Sequence, residues 1–199
     1  MMVFSPGFFT HNVGSSTDFE RPAHRVVRKS ILTLLSGGDR RSIGRSDQVA
    51  ALVRKHPELF PELIAGLWSA DPIVRMRSAD AAEKLSRRIP SCLQPFRKEL
   101  LSLLAEATQQ ELRWHLALMV PRLALTAKEQ QIAVSSLTHY LDDRSSIVKT
   151  CALQGLAGLA HKDPNLCPRI VDILREAARN GTPAMKARSR KLLSQLERP

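Results

Sequence analysis

The chain has 199 residues, of which 43% are hydrophobic and only 5% aromatic, with nine glycines. Leu, Ala, Arg and Ser predominate, a balance that favours helices over sheets and leaves enough apolar material for a substantial core. The net charge of +11 points toward nucleic acid or acidic proteins as partners. No apolar run approaches the ~20 residues of a membrane span.

Residues 1–24 hold Phe4, Phe8, Phe9 and Phe19, four of the six phenylalanines, among Gly, Ser, Pro and Asn. The segment reads as a tail set apart from a body at 25–197, either disordered or docked over Trp114. It has no basic n-region and no continuous apolar h-region, so a secretory leader is not expected. Cys92, Cys151 and Cys167 lack CxxC spacing and fall in apolar helical patterns. They are expected as buried thiols in a reducing, cytoplasmic setting.

The next segment, 25–55, is strongly basic: eight cationic residues stand against Asp39 and Asp47. It predicts a helix at about 26–36, a turn at Gly37-Gly38-Asp39 and a second helix from about Arg45. Helix patterns follow at about 58–69, 94–107, 127–141 and 165–179, and each is trailed by a partner helix. Their start signals agree. Asp71-Pro72, Asp163-Pro164 and Thr182-Pro183 set a capping side chain before a proline at the first helical position. Thr126-Ala-Lys-Glu129 has capping-box spacing. Pro121 is expected to kink or end its helix. The last segment, 162–199, is basic again, with nine cations against four carboxylates.

The partner helices repeat a frame. Asp71-Pro-Ile-Val-Arg-Met-Arg-Ser-Ala-Asp-Ala-Ala-Glu-Lys-Leu85 aligns with Ser145-Ser-Ile-Val-Lys-Thr-Cys-Ala-Leu-Gln-Gly-Leu-Ala-Gly-Leu159. Leu112-Arg113 to Leu123, Met185-Lys186 to Leu196 and, loosely, Gly44-Arg45 onward fit the same frame. The basic anchors Arg45, Arg75, Arg113, Lys149 and Lys186 recur at the length of one helix pair. In the fourth unit Val148, Ala152, Gly155, Leu156 and Leu159 form one stripe of a 3.6-residue helix. Five stacked pairs in an all-α fold are the expectation.

The frame resembles the HEAT repeat, whose second helix runs Asp-x-x-x-x-Val-Arg-x-x-Ala-x-x-Ala-Leu-x-x-Leu. The resemblance spans roughly residues 25–197. It implies a right-handed α-α superhelix, or solenoid, of about five helix pairs. It also implies a ladder between units, with Asp39, Asp71 and Asp143 as acidic members facing the anchor cations.

In such stacks the second helices commonly line the concave side. Helix Leu112–Leu123 is apolar nearly all round, so its outer face needs a cover. The expected patch is Trp114 and Leu118 with Met76, rimmed by Arg75, Arg77, Arg113, His115 and Lys149. Lys186 and Arg188 extend it into the last unit. An aromatic anchor in a cationic rim suits a protein or peptide partner held by a scaffold. It also suits stacked bases with phosphate contacts.

In size, charge and helical layout the chain is also similar to bacterial alkylpurine DNA glycosylases. That resemblance implies nucleic-acid binding, with or without base excision. Trp114 could match a groove tryptophan of that family, but the next turn offers Leu118 where a carboxylate would be wanted. No catalytic residue, metal site or cofactor is indicated otherwise. The six histidines are scattered, Walker and G-x-S-x-G patterns are missing, and Glu106 and Glu111 read as solvated charges flanking a turn. A non-enzymatic scaffold is the expectation, with no membrane partner.

Overall fold

The computed structural model describes residues 30–39 and 41–197. All regular structure among them is helical. In chain order it comprises α1 (Ser46–Lys55), α2 (Phe60–Ala65), α3 (Pro72–Arg88), α4 (Arg97–Glu106), α5 (Gln110–Met119), α6 (Ala127–His139), α7 (Ser146–Lys162), α8 (Cys167–Asn180) and α9 (Pro183–Leu196). Short 3-10 turns extend several of these, notably Pro57–Leu59 before α2 and Pro90–Phe96 before α4. Another, Val120–Arg122, closes α5.

The predicted pairs are all present from the second onward. In the first pair, the described residues carry only a 3-10 turn, Ile31–Leu34, where a helix over 26–36 was expected. The tail at 1–24 lies outside the described residues.

The caps behave as their side chains dictate. Asp71 accepts from the Ile73 amide at 2.8 Å, and Thr126 with Glu129 makes both halves of a capping box. Thr182 accepts from the Met185 amide at 3.4 Å. Asp163 caps a 3-10 turn, Pro164–Leu166, that leads into α8. Pro121 removes a backbone donor at the point where α5 gives way to 3-10 geometry.

Packing follows chain order. The second helix of each pair lies on the second helix of the next, α1 on α3, α3 on α5, α5 on α7 and α7 on α9. Within pairs α4 lies on α5, α6 on α7 and α8 on α9, and α4 also lies on α6. Val148, Ala152, Gly155, Leu156 and Leu159, the stripe expected on α7, are all buried. A carbon added at Gly155 would strike the Ala117 carbonyl oxygen, so α5 and α7 meet backbone to backbone there.

Two of the anchor arginines pin consecutive units in the same way. Arg75 donates back to the Ser69 carbonyl at 2.7 Å and forward to Gln109 at 2.9 Å. Arg113 donates back to the Ala107 carbonyl at 2.6 Å and forward to Asp143 at 2.5 Å. Its guanidinium also lies over Tyr140, 5.1 Å from the ring centroid. Of the three acidic ladder members, Asp143 makes the ion pair. Asp71 is spent on its cap, and Asp39 contributes its backbone carbonyl to Arg77.

Candidate functional site

The second helices form a row, and its first two seams are ionic. The Ser46 hydroxyl at the start of α1 donates to Asp80 of α3 at 2.5 Å. Lys84 then bridges Asp47 at 2.5 Å and Asp80 at 2.6 Å. One turn on, the Glu83 carboxylate is only 3% exposed and takes Arg122 and Arg87, each at 2.5 Å. Arg122 also donates to the Ser86 hydroxyl at 2.7 Å and to the Glu83 carbonyl at 3.0 Å. Burial by itself would raise the Glu83 pKa. Hydrogen bonds and charge from Arg87 and Arg122 outweigh it and hold the group below the usual carboxylate range.

His115 of α5 faces this network. Its Nδ1 is buried and has no hydrogen-bond partner among the described residues. Burial pushes its pKa down to about 4, Asp80 and Glu83 pulling it up and Lys84 and Arg87 pulling it further down. The imidazole is therefore neutral at pH 7. The Trp114 ring stands nearly edge-on to it, with centroids 5.7 Å apart. Trp114 packs half-buried against the core, and Leu118 is half-buried one turn further on.

Asp80 and Glu83 are each held by a cation, so this region offers charge pairing and apolar contact. The Cys92 and Cys151 thiols are pushed up to about 11 by burial and stay protonated at pH 7. All three cysteines are free, and all are half-buried, lying at the edge of the core where full burial was expected. Among the described residues no group of three or more His, Cys, Asp or Glu is placed to hold a metal ion.

The structure separates most of the residues expected to form one patch. Met76 is 7% and Arg77 3% exposed, so neither is offered to a partner. Arg77 instead fills the turn after the first 3-10 element. It donates to the carbonyls of Leu35 at 2.8 Å, Gly37 at 2.6 Å, Asp39 at 3.0 Å and Ser42 at 3.1 Å. Gly44, at φ 54°, leaves the room: a side-chain carbon there would sit 2.6 Å from the Arg77 guanidinium carbon.

Arg75 and Arg113 are occupied in the joints between units. Lys149 turns into a cavity of about 550 Å³ bordered by Ile173, Glu176 and Met185. Trp114, Leu118 and His115 remain together on α5, and Arg188 of α9 reaches Gln154 of α7 at 3.0 Å. Lys186 is half-buried on α9. Glu106 is exposed as expected and bonded to Ser102, whereas Glu111 is only 7% exposed. It sits in the first turn of α5, where the helix dipole favours a carboxylate.

A second concavity went unseen in the sequence. Two cavities of about 330 and 390 Å³ adjoin where the C-terminal ends of α1 and α3 meet the 3-10 turns preceding α2 and α4. Arg54, Leu85 and Ile89 line both. The contributing residues come from five elements, so no spacing announces them. A run of prolines at 57, 61, 90 and 95 and the pairs Arg54-Lys55 and Arg87-Arg88 were the only local signs.

Fold and site together define an all-helical array of packed helix pairs, joined by an ionic seam along its second helices. No family model, curated protein or solved structure matches the chain. No described helix is long and apolar enough to cross a membrane.

Proposed function

We propose that the chain is a cytoplasmic, non-enzymatic binding scaffold: a right-handed HEAT-like solenoid that holds a protein or peptide segment against its row of second helices. The observation that carries this reading is the half-buried pair Trp114 and Leu118 on α5, which continues the apolar core outward at mid-row. A half-buried indole packed against the core is the kind of anchor that dominates protein interfaces. The cations on either side, Arg87 of α3 and Arg188 of α9, are exposed and complement an acidic partner. Three of the arginines once expected to ring the patch serve the fold, so the rim is thinner than the sequence suggested.

The test compares affinity capture from the native cell by the wild-type chain and by Trp114→Ala. Partners should fall at least about fivefold in the variant while its melting temperature stays within a few degrees of wild type. A variant that chiefly melts earlier returns Trp114 to the core. The nucleic-acid reading is tested separately with duplex and single-stranded DNA at 50 and 200 mM salt. Binding that weakens by on the order of 10³-fold across that range would favour it. Release of a methylated base would replace the scaffold with an enzyme.

A further inference from the structure

The paired cavities beside α1 and α3 differ in chemistry. One is bordered by Arg54, Lys84, Arg87 and Arg88 against a single lining carboxylate, Asp47; Lys84 is shared between Asp47 and Asp80, and Arg87 is paired with Glu83. Arg54 and Arg88 are exposed and enter no ion pair among the described residues. A cation in the last turn of a helix is ordinary, because it complements the dipole. Here the last turns of two helices bring such cations to one hollow.

The other cavity is apolar. Phe60 and Phe96 form its floor with ring centroids 5.9 Å apart, Pro57, Pro61 and Pro95 stiffen its walls, and Ile89 stands 47% exposed at the border. Each volume falls in the range of ligand sites, at roughly 300–1,000 Å³.

We infer that this two-part groove binds an acidic peptide segment of a partner protein, seating one aromatic or branched apolar side chain in the proline-walled cavity and its flanking carboxylates on Arg54 and Arg88. Charge complementarity selects the acid, since guanidinium groups without partners match carboxylates in paired hydrogen bonds. The apolar walls argue for a side chain and not for a run of stacked bases: three prolines line the cavity, Phe60 is only 7% exposed and Phe96 is half-buried, so no open aromatic platform is presented. The inference rests on the reading of the chain as a binding scaffold; of the residues assigned to the Trp114 site the groove shares Arg87 alone, which none of the test variants changes.

The test is fluorescence anisotropy with a labelled synthetic peptide, acetyl-Glu-Asp-Phe-Glu-Asp-Gly, added to the full chain. Saturable binding is expected. It should weaken about tenfold or more in the Arg54→Glu/Arg88→Glu double variant and when the peptide acids are replaced by their amides. Ile89→Asp, at an exposed position, should weaken it about fivefold or more. Trp114→Ala should leave it unchanged, so the groove can fail without the mid-row site failing, and the reverse.

Equal affinity across the groove variants, or no binding at all, overturns the inference. So does displacement of the peptide by a 20-base-pair DNA duplex at equimolar concentration. Binding that appears only after residues 1–24 are deleted also overturns it, handing the groove to the chain's own Asp18-Phe19-Glu20.

Discussion

Between α1 and α3, and again between α3 and the 3-10 turn after α5, neighbouring units are held by polar networks: half-buried Asp80 and Lys84 with buried Ser46 and exposed Asp47 in one seam, and Glu83, Ser86 and Arg122 in the next. Between α5 and α7 close packing is added to the Arg113–Asp143 pair, and between α7 and α9 the step is made with no ion pair among the described residues. Gly155 lets α7 touch the α5 backbone, Ala152 and Ala157 are fully buried, and a hydroxyl pair, Ser146 with Thr182 at 3.0 Å, bridges to the last unit. One repeat frame thus tolerates two ways of closing a joint. The ionic joints depend on protonation and the close-packed joints on volume, so the two halves should fail under different insults.

The largest effect should come from the ionic half. Glu83→Ala leaves Arg122 without its carboxylate in a largely buried seam and should cost about 3–5 kcal/mol in urea unfolding. Arg87→Met, at the exposed end of the same pair, should cost less than about 1 kcal/mol.

In the close-packed half, Gly155→Ala should destabilise by about 1–3 kcal/mol because the added carbon meets backbone. Gly158→Ala, whose carbon would meet Pro121 at an ordinary 3.4 Å, should instead gain up to about 1 kcal/mol of helix propensity. Equal effects at the two glycines would erase the steric half of the contrast.

Acid should sharpen it. With its folded pKa depressed to about 4, His115 contributes stability that is fully present above its unfolded value near 6.5 and is lost as pH falls toward 4. Glu83, also depressed, acts in the same direction at lower pH. Thermal melts from pH 7 to 4 should therefore slope downward, less steeply in His115→Gln. Hydrogen exchange should show α3 and α5 loosening before α8 and α9. Thr126→Ala, which breaks the capping box of α6, should cost about 1 kcal/mol whether the neighbouring seam is ionic or not.

Helix positions and their starts were legible because they are local. Apolar spacing placed α7, and Asp71, Thr126 and Thr182 do what their side chains do before any helix. Arg77 was misplaced for the opposite reason. A repeat frame puts it beside Arg75 on an outward-facing arc, but its surroundings depend on a turn at residues 35–44 that the frame does not contain. Glu111 was misjudged because a charged residue next to a turn normally faces water. The Trp114, His115 and Leu118 grouping was readable from α5 alone, while the groove at Arg54 and Ile89 required knowing which helix ends meet.

The hydrogen bonds that tie units together share a further property. Arg113 to Asp143, Arg75 to Gln109, Tyr140 to Leu104, Ser146 to Thr182 and Arg122 to Glu83 join residues 30 to 39 positions apart. Each contact therefore closes a loop of similar, modest length, and none of them has to wait for the two chain ends to find each other. Loop-closure entropy grows only with the logarithm of loop size, and topologies rich in near-sequence contacts fold quickly. A chain built this way can assemble progressively as it leaves the ribosome, each new hairpin settling on the one before it.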